Sequence, residues 1–155
     1  MSNSNAPNFK PDPQNREFLD ALNLVKYTRQ SIFLTGKAGT GKSTFLRYVC
    51  KETRKKHVVL APTGIAAINA GGSTLHSFFK LPFHPLLPDD PNLSLQRGRI
   101  HSFFKYSKAH RQLIEKLELI IIDEISMVRA DIIDTVDRIL RVYSHNLREP
   151  FGGKQ

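Results

Sequence analysis

Tryptophan is absent from this sequence, and cysteine occurs once, at Cys50. A single thiol excludes an internal disulfide framework and fits a reducing compartment. Neither Cys50 nor the six histidines stand at paired-Cys or His-x3-His spacing, so no structural zinc is expected. Carboxylates are scarce: 14 Asp and Glu face 23 Lys and Arg, giving a formal net charge of +9 and a pI near 9.9. That excess suits an anionic partner, with nucleic acid the first candidate, and suits equally a protein that is simply basic. No apolar run is long enough to span a bilayer, and the N-terminus lacks the apolar core of a signal peptide. The expected compartment is therefore the cytoplasm, or the nucleoid in a bacterium.

What is present is enough for one domain with a real core: 155 residues, 40% of them hydrophobic. Residues 1–15, polar with three prolines, read as a loose arm ahead of a domain over 16–155. Phe18, Leu19, Leu22 and Val25 share a helical face. "SIFLT" (31–35), "HVVLAPT" (57–63) and "LELIIIDE" (117–124) are three strand candidates. A second helix carries Phe45, Leu46, Val49 and Cys50. Another carries Ile132, Ile133, Val136, Ile139, Leu140 and Tyr143. Apolar strands alternating with helices predict an α/β fold, a parallel sheet covered on both faces. Residues 80–111, with four of the nine prolines, fit this rhythm poorly and read as an insertion or long connection.

The densest chemistry lies at "GKAGTGKST", residues 36–44. Gly36, four further residues, Gly41, Lys42 and Ser43 match the phosphate-binding pattern G-x-x-x-x-G-K-[ST]. Glycines let the backbone turn successive N–H groups inward on an anion, and the helix that follows adds its free N–H groups and dipole. Lys42 is expected to reach the β- and γ-phosphates, and the Ser43 hydroxyl to ligate Mg²⁺. Ala38, Gly39, Thr40 and Thr44 complete the loop. A flexible linker predicts no apolar run before it and no helix after it.

The strand candidate at 119–122 ends in Asp123 and Glu124. In an open α/β sheet that end faces the same crevice as the glycine loop. Asp123 is expected to hold Mg²⁺, through water, and Glu124 to be the general base for the attacking water. The pair leans towards NTP hydrolysis rather than small-molecule phosphorylation. Residues 58–79, "VVLAPTGIAAINAGGSTLHSFF", offer hydroxyls, backbone N–H groups and aromatics for a nucleic-acid strand. At least one of Phe78 and Phe79 is expected in the core, and His76 is either a buried histidine or a DNA contact. Arg97, Arg99, Lys105, Lys108 and Arg111 alternate with Phe103, Phe104 and Tyr106. A segment whose aromatics pack inward is preferred there to a single-strand groove.

Taken together, "FLTGKAGTGKSTFL", "LAPTGIAAINAGGSTLHSFF", "IIIDEISMVRADIID" and "PFGGKQ" resemble the Pif helicase family, superfamily I enzymes that hydrolyse ATP and move 5′ to 3′ on single-stranded DNA. The resemblance covers residues 15–155. It implies a RecA-like P-loop fold with three αβα layers, ATP and Mg²⁺ as cofactors, residues 36–44 as Walker A, and Asp123 and Glu124 as Walker B. It implies single-stranded DNA contacts in the stretch that holds Pro62, Thr63, Gly64, Thr74, His76 and Phe79. Adenine reading falls to Gln14 or Asn15. It also implies a strand opening at "PFGGKQ" and a second motor lobe in cis that these residues do not include. The expectation is an incomplete first lobe that binds nucleotide weakly, hydrolyses ATP poorly and does not unwind DNA alone. A stand-alone P-loop module that clamps a partner is the alternative, and a small P-loop kinase is the weaker third.

Overall fold

The computed structural model describes residues 11–96 and 98–155, and these divide into two compact units that part between Arg54 and Lys55. Residues 1–10 of the expected arm, and Arg97, lie outside the described residues.

The first unit holds two helices. α1 (Arg16–Tyr27) starts where the Asn15 side chain accepts the Phe18 N–H at 3.0 Å. That cap satisfies a donor the helix itself leaves open. Leu22 and Val25 are its buried positions. α2 (Lys42–Glu52) buries Phe45 and Val49 one turn apart. The Phe18 ring meets Phe45 edge-on at 5.0 Å and Tyr48 at 5.7 Å, which fixes how the two helices pack. The strand expected at 31–35 does not form, and Phe33 is 76% exposed. A strand needs a ladder partner, and among the described residues the first unit has helices as its only regular elements.

The second unit is built on a parallel three-stranded sheet in the order β2-β1-β3. β1 (His57–Ala61) is central. It pairs with β3 (Leu119–Ile122) in the register Val58↔Ile120 and Leu60↔Ile122, and with β2 (Ser73–Thr74) through Leu60↔Ser73. Between β1 and β2 runs α3 (Gly64–Ala70), capped by the Thr63 hydroxyl. The return to β2 passes so close to β1 that a Cβ on Gly72 would sit 2.0 Å from the Val59 carbonyl oxygen. Only glycine fits there. On the far side of β3, the Gln155 N–H donates to Glu118 O and Ile120 N–H donates to Gln155 O, a parallel bridge. Residues 150–153, where a strand is expected to open, form a 3-10 turn instead, with Phe151 and Gly152 in the left-handed region, and only Gln155 lies along β3.

Leu60 with neighbouring Val58, Ile120 and Ile122 faces the main core. That core is completed by α4 (Leu75–Phe79), α5 (Arg99–Phe103), α6 (Lys108–Lys116) and α7 (Ala130–Tyr143). Leu119 and Ile121, at the alternate positions, are also buried, as expected of a parallel strand covered on both faces. Residues 80–111 are not a structureless connection. They supply Leu81, Leu86, Leu93, Ile100, Phe104 and Tyr106 to the core, and the Tyr106 hydroxyl donates to the Phe79 carbonyl. Arg138 of α7 clamps the segment through Leu93 O at 3.2 Å and Pro88 O at 2.9 Å. Phe104 and Tyr106 pack inward while Arg99, Lys105, Lys108 and Arg111 face out, which favours the solvated-segment reading over a single-strand groove.

Candidate functional site

In the first unit, the loop 36–44 turns on Gly39 (φ 78°) and Gly41 (φ 93°), a region that L side chains avoid. Gly41 precedes α2, whose first recorded bond runs from Phe45 N–H to Gly41 O at 2.8 Å. The N–H groups of Lys42, Ser43 and Thr44 therefore stand at the open start of an eleven-residue helix. Thr40 braces the turn by donating its hydroxyl to Lys37 O at 2.7 Å. The Lys42 ammonium folds back over the loop and donates to Gly36 O at 2.6 Å and Lys37 O at 2.9 Å. Ala38 and Ser43 are exposed, and Thr44 is half-buried. Such a loop holds an anion by backbone dipoles and one mobile cation. Upstream, Asn15 spends its side-chain oxygen on the α1 cap, whereas the Gln14 side chain is exposed and its backbone N–H bonds Asp12.

In the second unit, the three strands are parallel, so their carboxyl ends leave the sheet at one edge. Pro62, Thr63 and Gly64 leave β1 there, His76 follows β2 by two residues, and Asp123 and Glu124 follow β3 directly. The ladder extends one step to Asp123, whose N–H bonds Leu60 O at 2.9 Å. Its Oδ1 accepts the Glu124 N–H at 2.9 Å, while Oδ2 is left for other partners. Glu124 is exposed and holds φ 53°, ψ 42°, a left-handed backbone that costs a non-glycine residue on the order of 1 kcal/mol.

The hydroxyls of Thr63 and Thr74 cap α3 and α4 by accepting N–H bonds from Ala66 and Ser77. Each hydroxyl keeps its proton to donate outward, for example to a phosphate oxygen. His76 is half-buried and stacks on Phe83. Phe79 is a correction. It is fully buried in the core, so its ring cannot meet a strand. Phe78, half-buried against the same core, turns its edge to Phe79 at 4.9 Å. Phe83 lies outside the expected contact stretch, although an aromatic held between Pro82 and Pro85 is a visible signal.

The family model for PIF1-like helicases matches residues 12–155. The chain belongs to the PIF1-like helicase family. It is 39% identical over 141 residues to the ATP-dependent DNA helicase PIF1 of Emericella nidulans, covering 86% of this chain and 18% of that protein. It is 35% identical over 143 residues to the Pif1 helicase of Bdellovibrio bacteriovorus, covering 88% of this chain and 29% of that one. Among solved structures, Bacteroides Pif1 in complex with ADP-AlF4 aligns with a TM-score of 0.79 at 47% identity, over 94% of this chain and 31% of its own. Bacteroides Pif1 bound to single-stranded DNA aligns with a TM-score of 0.77 at 48% identity, again over 94% of this chain and 31% of its own. The chain thus spans under a third of each of these PIF1-like proteins. The likeness confirms the α/β P-loop fold. Among the described residues no helix is long and apolar enough to cross a membrane.

Proposed function

We propose that this chain is the nucleotide-binding first lobe of a PIF1-like DNA helicase, a motor that couples ATP hydrolysis to 5′-to-3′ movement on single-stranded DNA. The observation that carries the reading is the shared carboxyl edge of the sheet. Asp123 and Glu124 leave it beside the residues that would grip a strand, so chemistry and grip rest on one rigid element. The curated relatives are ATP-dependent DNA helicases, and the similar Bacteroides Pif1 structures hold ADP-AlF4 in one case and single-stranded DNA in another. Those names favour a motor over a stand-alone clamp.

In this reading the loop of Gly36, Ala38, Gly39, Thr40, Gly41, Lys42, Ser43 and Thr44 wraps the phosphates. The Lys42 ammonium exchanges its two loop carbonyls for phosphate oxygens. Glu124 takes the proton of the attacking water. Each unit by itself offers an oxygen donor of the kind Mg²⁺ favours, the exposed Ser43 hydroxyl in the first and the Asp123 Oδ2 in the second. When bound, that ion neutralises phosphate charge. Gln14 is the better adenine-reading candidate, since the Asn15 oxygen is committed to its helix cap. Pro62, Thr63, Gly64, Thr74 and His76 form the strand-contacting edge. The domain is residues 16–155, and a second lobe in the same polypeptide completes the motor.

The test is fluorescence anisotropy of labelled oligo-dT with the chain, with and without Mg²⁺ and a non-hydrolysable ATP analogue, across a salt series. Binding that steepens with falling salt and shifts with nucleotide supports a lobe that couples the two ligands. Binding indifferent to nucleotide removes the coupling from this lobe. In the two-lobed protein, Glu124→Gln should retain nucleotide binding and lose turnover, and retained turnover assigns the base elsewhere.

A further inference from the structure

A concave surface lies at the amino edge of the sheet, opposite the edge where Asp123 and Glu124 emerge. His57 opens β1 there and pairs with Leu119, the first residue of β3. Between this edge and α6 runs an open cleft of about 650 Å³, lined entirely by residues of the second unit. One wall is a stripe of α6. Ala109, Gln112, Leu113 and Lys116 recur at i, i+3, i+4 and i+7, so they share one face, while Ile114 is buried on the other. The facing wall is Lys55, Lys56 and His57. Hydrogen bonds fix that wall. Lys56 O accepts the Glu118 N–H at 2.8 Å, and the Lys56 N–H donates to Glu118 Oε2 at 2.9 Å. The Lys55 ammonium donates to Gln155 Oε1 at 2.6 Å.

Uncovered aliphatic carbon and unneutralised cations meet in this cleft. Leu113 is 48% exposed beside exposed Ala109. The exposed ammonium groups of Lys56 and Lys116 have no ion-pair partner among the described residues. Glu115 and Glu118 flank this part of α6 in sequence but do not line the cleft. We propose that the cleft docks a short acidic segment of a partner protein. One aliphatic side chain of that segment sits on Ala109 and Leu113, and its carboxylates meet Lys56 and Lys116. The cations call for acids by charge complementarity, and the aliphatic floor calls for a side chain between them. The stripe from 109 to 116 is about 10 Å long, roughly the span of three extended residues. A nucleic-acid strand fits less well, because the lining holds no Phe, Tyr or Trp on which a base could stack. Lying at the amino edge, an occupied cleft leaves the carboxyl edge of the sheet open.

The experiment uses the full chain and a short fluorescent peptide of Asp and Glu around a central Leu, read by anisotropy at physiological salt. The wild type should bind the peptide. Replacing the peptide's Leu by Ala, or Leu113 of the chain by Ala, should weaken binding by about threefold or more. Lys56→Glu combined with Lys116→Glu should weaken it by about tenfold or more. Lys105→Glu combined with Lys108→Glu makes the same charge change on exposed residues outside the cleft. That pair should alter binding by less than about twofold, since salt screens distant charges. Far-UV circular dichroism checks that each variant is folded, and saturating oligo-dT should leave the peptide bound. Equal losses in the two double variants reduce the binding to net charge and overturn the site. Indifference to the peptide's Leu and to Leu113 also overturns it. Displacement of the peptide by oligo-dT overturns it and gives the cleft to nucleic acid. A wild-type chain that does not bind the peptide overturns it outright.

Discussion

Two phenylalanines four residues apart, Phe79 and Phe83, make opposite demands on the fold, and replacing each with alanine tests the structure sharply. Phe79 is fully buried and ends α4, a five-residue helix held only by Leu75 and Phe79 at its buried positions. Removing a buried phenyl leaves a cavity beside Phe78, and such changes cost about 3–5 kcal/mol. For a chain of this size that corresponds to a fall in Tm of roughly 6–20 °C. The Tyr106 hydroxyl donates to the backbone carbonyl of Phe79, an acceptor that the substitution keeps, so the loss is confined to packing. Phe83→Ala removes a ring that is 88% exposed and should shift Tm by less than about 2 °C. Thermal melts followed by far-UV circular dichroism read both. A Phe79→Ala chain that melts with the wild type but no longer binds a strand would refute the core assignment and return Phe79 to the surface.

Gly72→Ala must push β2 away from β1, because the new methyl would lie 2.0 Å from the Val59 oxygen. A loss of about 1–3 kcal/mol or more is expected in urea titration, and an unchanged midpoint would contradict the close approach. Asp131 accepts from Arg129 at 2.8 Å and from the Leu86 N–H, and the Arg129 hydrogen bonds hold its carboxyl down to about 2. A carboxylate with a depressed folded-state pKa stabilises above its ordinary range and loses that contribution as pH falls towards 2. Asp131→Asn should therefore lower Tm at neutral pH, with the difference from wild type shrinking between about pH 4 and about pH 2. A difference that is flat across that window would remove the ion pair from the account.

Much of this architecture could be read from hydrophobic spacing. The faces of α1, α2 and α7 follow from periodicity, and β1 and β3 from their apolar runs, because those residues bury what the pattern says they should. "SIFLT" is a similar apolar run, yet a strand is a relation between two segments, and among the described residues 31–35 have no partner strand within their unit. β2 was missed because two residues, Ser73 and Thr74, carry no period. Proline content misdirected the reading of 80–111, whose apolar residues are spaced too irregularly for either period and still fill the core. At the site, the glycine loop and the Asp123–Glu124 pair were legible because their chemistry demands fixed residue types at fixed spacing. Phe79 was legible only as one of an adjacent pair, since Phe78-Phe79 calls for one ring in the core without revealing which of the two points inward. The left-handed backbone of Glu124 leaves no trace in composition at all.

The central claim is that residues 36–44 hold a nucleotide's phosphates and that Lys42 is their cation. Isothermal titration of a non-hydrolysable ATP analogue into the wild-type chain and into Lys42→Ala, each with and without Mg²⁺, tests it directly. The account predicts Mg²⁺-dependent binding by the wild type and an affinity at least tenfold weaker in the variant, a loss of about 1.4 kcal/mol or more. Equal affinity in the two chains would contradict it.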